Sequence, residues 1–80
     1  MGVNPKARAL ELYRRGRWQY SVLEEPEARA CGHLPGVSEE VDFGTAEAAL
    51  LDLVEETYGV RYIPQWQQTD TDWWVAELEN

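Results

Sequence analysis

Eighty residues, of which 44% are apolar, 11% aromatic and 28% charged, read as one small globular domain. The longest apolar runs, Ala48-Ala49-Leu50-Leu51 and Trp73-Trp74-Val75-Ala76, fall far short of the roughly 20 residues of a membrane span, and residues 1–15 hold no secretory signal, so a cytosolic protein is expected. The formal net charge of −8 sets an acidic body against phosphate backbones.

Asn4 and Pro5 supply an N-cap and a first-turn proline, and Gly16 sits where a left-handed C-cap is wanted, which predicts a helix over residues 5–15. Its apolar residues Ala9, Leu10, Leu12 and Tyr13 form only a narrow stripe, so it is expected to act as a lid. This segment also holds most of the cations: residues 1–17 carry Lys6, Arg8, Arg14, Arg15 and Arg17 against Glu11, a balance of +4. Residues 18–80 carry Arg29 and Arg61 against fourteen carboxylates, a balance of −12. Nucleic-acid contact would therefore have to run through Arg8, Arg14, Arg15 and Arg17; the alternative is that the basic helix lies on its own acidic body.

Trp18, Tyr20 and Val22 alternate with Gln19, Ser21 and Leu23, the period of a strand over residues 18–23. Glu24-Glu25-Pro26-Glu27 ends it, residues 28–34 suit a returning strand, and Pro35-Gly36 favours a turn. Val37, Val41 and Phe43 share one side of a third extended stretch. Thr45 is expected to cap a second helix with Glu47 in its first turn, with Ala46, Ala49, Leu50, Leu53, Val54 and Thr57 on one face and Gly59 at its end. Residues 60–67 and 73–79 read as two strands joined by the polar turn Gln68-Thr69-Asp70-Thr71-Asp72. The expected fold is a single α+β domain over residues 1–80: helix, two or three strands, helix and a C-terminal β-hairpin, on an antiparallel or mixed sheet.

Groups able to do chemistry are scarce. Cys31 and His33 stand two apart, so in a strand both point the same way, but no third group or oxyanion site can be named beside them. Cys31 as the only cysteine forms no internal disulfide, leaving a compact core, alone or shared with a second copy, to hold the chain. One Cys and one His fall short of a structural zinc site, and Asp70-Thr71-Asp72 lacks the glycine and further oxygens of a calcium loop. No phosphate-cradling loop appears, so no catalytic residue, metal or cofactor is assigned.

Two stretches invite comparison with known families. Residues 51–60, Leu-Asp-Leu-Val-Glu-Glu-Thr-Tyr-Gly-Val, resemble the helix of Nudix hydrolases, but Asp52 and Val54 depart from that family's charged positions, and Glu55 and Glu56 read instead as the solvated face of a helix. Tyr20-Ser21-Val22-Leu23-Glu24-Glu25-Pro26, Leu34-Pro35-Gly36 and Gly44-Thr45-Ala46-Glu47-Ala48, in that order within residues 18–56, resemble the core of HicB-type antitoxins. That resemblance implies a strand-strand-strand-helix-strand domain that neutralises an RNA-cleaving toxin.

The aromatic residues are oversupplied for so small a core: Trp18, Trp66, Trp73 and Trp74 with Tyr13, Tyr20, Phe43, Tyr58 and Tyr62. In the last strand Trp73 and Val75 share one face and Trp74 and Ala76 the other. If both helices lie on one side, Trp73, Val75 and Ile63 form an exposed patch; otherwise the leading helix shields Trp73. The reading is a small acidic, non-catalytic module that binds an unidentified protein, or a second copy of itself, through an aromatic sheet face or a strand edge. Trp73 and Val75 are the expected anchors, Trp66 their support, and Asp70 and Asp72 rim charges that steer a basic partner.

Overall fold

The computed structural model describes residues 6–25 and 28–78. Its elements are β1 (Lys6–Arg15), β2 (Arg17–Glu25), β3 (Ala28–His33), α1 (Phe43–Tyr58), β4 (Gln65–Asp70) and β5 (Trp73–Glu77). The strands form one five-stranded sheet in the order β3-β2-β1-β5-β4, and all neighbours are antiparallel.

Among the described residues this is a mostly β architecture with a single helix, and it overturns the expected α+β arrangement of two helices. The basic segment is not a helix but the central strand. Asn4 and Pro5, the supposed cap, lie outside the described residues, and Gly16, at φ 74°, turns β1 into β2 between the paired Arg15 and Arg17. Helix-favouring residues in this segment are overruled by position: β1 has a ladder on both sides, and alternation puts Leu10 and Leu12 in the core, both fully buried. A bulge between Ala7 and Ala9 returns Ala7 to the core side, leaving Arg8 exposed while its carbonyl accepts from Leu78 N at 2.8 Å.

The third strand expected across Val37, Val41 and Phe43 is absent as well. Residues 34–42 form a turn and irregular loop instead, so the three strands before the helix are β1 to β3, one strand upstream of where the antitoxin resemblance places them. The loop is tied to the sheet. Trp18 Nε1 donates to the Val41 carbonyl at 3.1 Å, Arg14 donates to the Glu39 carbonyl at 3.1 Å, and Leu34 N donates to the Trp18 carbonyl at 3.0 Å.

The helix begins earlier than expected, with Asp42 rather than Thr45 as N-cap. The Asp42 carboxylate accepts from Thr45 N at 2.9 Å; hydrogen bonding by the Thr45 side chain, then by this backbone N–H, lowers the Asp42 pKa from its ordinary value, and Glu47 falls beyond the first turn. Gly59, left-handed at φ 77°, closes the helix by donating to the Glu55 carbonyl at 2.7 Å. Residues 60–64 are irregular, so the strand expected over 60–67 starts only at Gln65.

Ala46, Leu50, Leu51 and Val54 of α1 pack with Leu10, Leu12, Trp18, Val22 and Leu78 into one core on one face of the sheet. Phe43, Trp66 and Trp74 extend it, with Phe43 meeting Trp74 at 4.5 Å and the edge of Trp66 at 5.5 Å between ring centroids. Tyr58 at the end of α1 donates its hydroxyl to Glu24 Oε2 at 2.7 Å, and burial followed by this bond raises the Tyr58 pKa.

Candidate functional site: the uncovered sheet face

Because side chains alternate along each strand, the residues between the core positions all point to the face that α1 does not cover. The register aligns them in rows. Cys31, Ser21, Glu11, Val75 and Gln67 run across the middle of the sheet. His33, Gln19, Tyr13 and Trp73 lie on one side of that row, and Arg29, Leu23, Ala9, Glu77 and Gln65 on the other.

Glu11 organises this face from the central strand. Its Oε1 accepts from Arg29 at 2.5 Å and its Oε2 accepts from Trp73 Nε1 at 3.1 Å, so one carboxylate ties β3 and β5 to β1. The Arg29 side chain crosses β2 to reach it, and Ser21, the β2 partner of Glu11, is buried despite lying on the open side. Trp73 stacks on Tyr13 with centroids 4.3 Å apart and planes within 11°, and the Arg15 guanidinium lies 5.6 Å from the Trp73 ring. Beyond the middle row the surface dips into a depression of about 700 Å³ lined by Ala9, Glu11, Leu23, Val75, Gln65 and Gln67.

Among the residues singled out in the sequence, Trp73 and Val75 meet here, both half-buried. No leading helix shields Trp73; Tyr13 and Arg15 flank it instead. Trp66 belongs to the opposite face, where it donates to Glu47 Oε2 at 2.6 Å and supports the core rather than Trp73. Ile63 is exposed in the irregular segment before β4 and is not one of the strand residues that make the sheet face. Asp70 is exposed at the β4–β5 turn and accepts from Thr71 N at 2.8 Å. Asp72, at φ 57° in the same turn, is held by Arg14 at 2.9 Å and is therefore not a free steering charge.

The four arginines assigned to a helical nucleic-acid surface do not share a face. Arg14 lies on the core side, paired with Asp72 and 5.1 Å from the Trp18 ring, while Arg15 lies on the open side. Arg8 sits at the bulge near the far end of β1, and Arg17 begins β2. These arginines therefore do not line one face of a helix.

Cys31 and His33 are both exposed on the open side of the edge strand β3, beside Ser21 and Gln19. Among the described residues no group of three His, Cys, Asp or Glu side chains gathers to hold a metal ion, and no helix is long and apolar enough to cross a membrane. Sequence reasoning missed Glu11, Tyr13, Leu23 and Arg29 as members of this face. The signal was present in residues 9–15, whose alternation mirrors that of residues 17–23 around Gly16. No family model, curated protein or solved structure matches the chain.

Proposed function

We propose that the chain is a non-catalytic protein-binding or regulatory module that makes its contact through the uncovered sheet face. One observation carries this reading: the helix seals one side of the sheet, while the other side holds a stacked Tyr13–Trp73 pair, Val75 and Leu23 together with arginines. Aromatic residues and arginine are the types enriched at protein interfaces. Charge supports the same side. Glu39, Glu40, Asp52, Glu55 and Glu56 lie on the helix and its preceding loop, whereas the open face carries Arg15, Arg17 and Arg29 alongside Glu11 and Glu77. The strands β3 and β4 form the two borders of the sheet, and strand addition there would extend the same surface.

The test is site-specific photo-crosslinking in cells. A photoreactive amino acid in place of the exposed Gln67, on the open face, is expected to capture protein, whereas the same group in place of Glu56 on the helix is not. Equal capture from both positions, or none from Gln67, refutes the reading.

A further inference from the structure

We infer that the occupant of the open face is a second copy of this chain, docked face to face about a two-fold axis that runs across the strands along the middle row of Glu11 and Val75. This rests on the reading of that face as a contact surface, and goes further by naming what covers it.

Shape is the first argument. The Tyr13–Trp73 stack stands two residues to one side of the middle row, between β1 and β5. The depression of about 700 Å³ opens on the other side, from Glu11, Val75 and Gln67 of the row itself out to Leu23, Ala9, Glu77 and Gln65. At roughly 3.3 Å per residue the stack lies ~7 Å to one side of the row, and the Ala9–Glu77 part of the hollow lies as far to the other. A two-fold axis across the strands exchanges the two ends while keeping β1 and β5 over β1 and β5. Each aromatic pair then enters the other copy's hollow, the self-complementary contact that a two-fold dimer requires.

Charge gives the same axis. Arg15 and Arg17 flank the aromatic end; at the hollow end Arg29 is engaged by Glu11 and Glu77 is exposed, so the operation sets the arginines of one copy toward Glu77 of the other. An axis along the strands would instead bring the arginine ends together and make the aromatic pairs collide. The carboxylates of the helix and its preceding loop lie on the outer sides of the assembly, so two chains of net charge −8 meet through the surface that carries little of that charge.

Area is adequate. Five strands spaced ~4.8 Å apart and about six residues long at ~3.3 Å each give a face of about 480 Å², so two faces bury on the order of 1,000 Å² before surface relief is counted. That reaches the threshold of a specific interface.

The experiment is sedimentation velocity of the full chain from about 1 µM to about 200 µM, which spans micromolar dissociation constants. The expected result is a reversible shift toward twice the 9.2 kDa of one chain. Trp73→Ala, Ala9→Trp and Glu77→Arg are each expected to weaken association at least about tenfold, a change of ~1.4 kcal/mol. Glu56→Arg, the same charge change on the helix, leaves it intact. Adding Arg15→Glu and Arg17→Glu to Glu77→Arg restores association. Glu77 is exposed, so Glu77→Arg keeps the fold and remains informative if Trp73→Ala or Ala9→Trp unfolds. A monomer throughout the range, or a dimer that Glu77→Arg and Glu56→Arg affect equally, overturns the inference. A monomer whose Gln67 crosslinker still captures another protein overturns only self-association, and a monomer that captures nothing overturns the broader reading as well.

Discussion

Replacing Trp18 by alanine tests whether the core is built as described. The ring is 1% exposed, packs on Trp74 at 5.8 Å and on Phe43 at 6.4 Å, and lies 5.1 Å from the Arg14 guanidinium. Its indole N–H also holds the Val41 carbonyl, so the side chain joins β2 to the loop that leads into α1. Emptying such a site costs about 3–5 kcal/mol. An 80-residue domain has about 4–12 kcal/mol in total, so Trp18→Ala removes a large share of it. At about 4–8 °C per kcal/mol for a domain of this size, the midpoint falls by at least ~12 °C. Trp18→Phe keeps most of the buried ring and deletes only the donor, which costs about 1–2 kcal/mol, or ~5–15 °C. Far-UV circular dichroism melts at one fixed, dilute concentration measure both while holding any association constant. An alanine variant melting within ~4 °C of the parent, or a phenylalanine variant as unstable as the alanine one, refutes the placement of this ring.

The other expectations concern single contacts. The Tyr58 hydroxyl has its pKa raised in the folded state, so the stability it contributes is complete below the ordinary phenol value of about 10 and declines as pH rises above it. Tyr58→Phe should therefore flatten the alkaline side of a denaturant-midpoint profile, and an unchanged profile would dissociate Tyr58 from Glu24. Asp42 has its pKa lowered by Thr45, so its contribution is present above the ordinary carboxylate value and is lost as pH falls through the lower folded value. Asp42→Ala should lower the melting midpoint at neutral pH and lose that acid-side decline, and equal effects at pH values on both sides would contradict the cap. Gly59→Ala, at φ 77° with no atom within 4 Å of the added methyl, should cost about 1–2 kcal/mol from backbone strain alone in urea titrations. A neutral substitution would place this residue outside the left-handed region.

Much of the chain was readable because local pattern and final environment agree. Ala46, Leu50 and Val54 repeat at helical spacing and bury against a sheet, and Trp18, Tyr20 and Val22 alternate as a strand with one covered face. Gly59 acts as its backbone freedom suggests, whereas the polar stretch before Trp73 turns only at Thr71 and Asp72, because Gln68, Thr69 and Asp70 extend β4 alongside β5. Residues 6–15 were not readable in the same way. Ala7, Ala9, Leu10, Glu11 and Leu12 all favour helix intrinsically, and only two neighbouring ladders, one of them to a strand far away in the chain, make this segment extended. The error carried over to the candidate site. With β1 read as a helix, Trp73 had no visible neighbour, Glu11 no role, and Arg14 and Arg15 shared a surface that the strand divides.

The central position of β1 also sets the order in which the molecule can be completed. Its ladder with β2 closes through a single glycine, whereas its contact with β5 joins Glu11 to Trp73 across 62 positions. During synthesis, β1 to β3 can assemble while one side of β1 remains without a neighbour until β5 emerges. Contacts of such long range slow closure, and an unpaired strand at the centre of the sheet is where a nascent chain is most open to capture by another molecule. The segment that organises the finished surface is thus the one whose second ladder forms last.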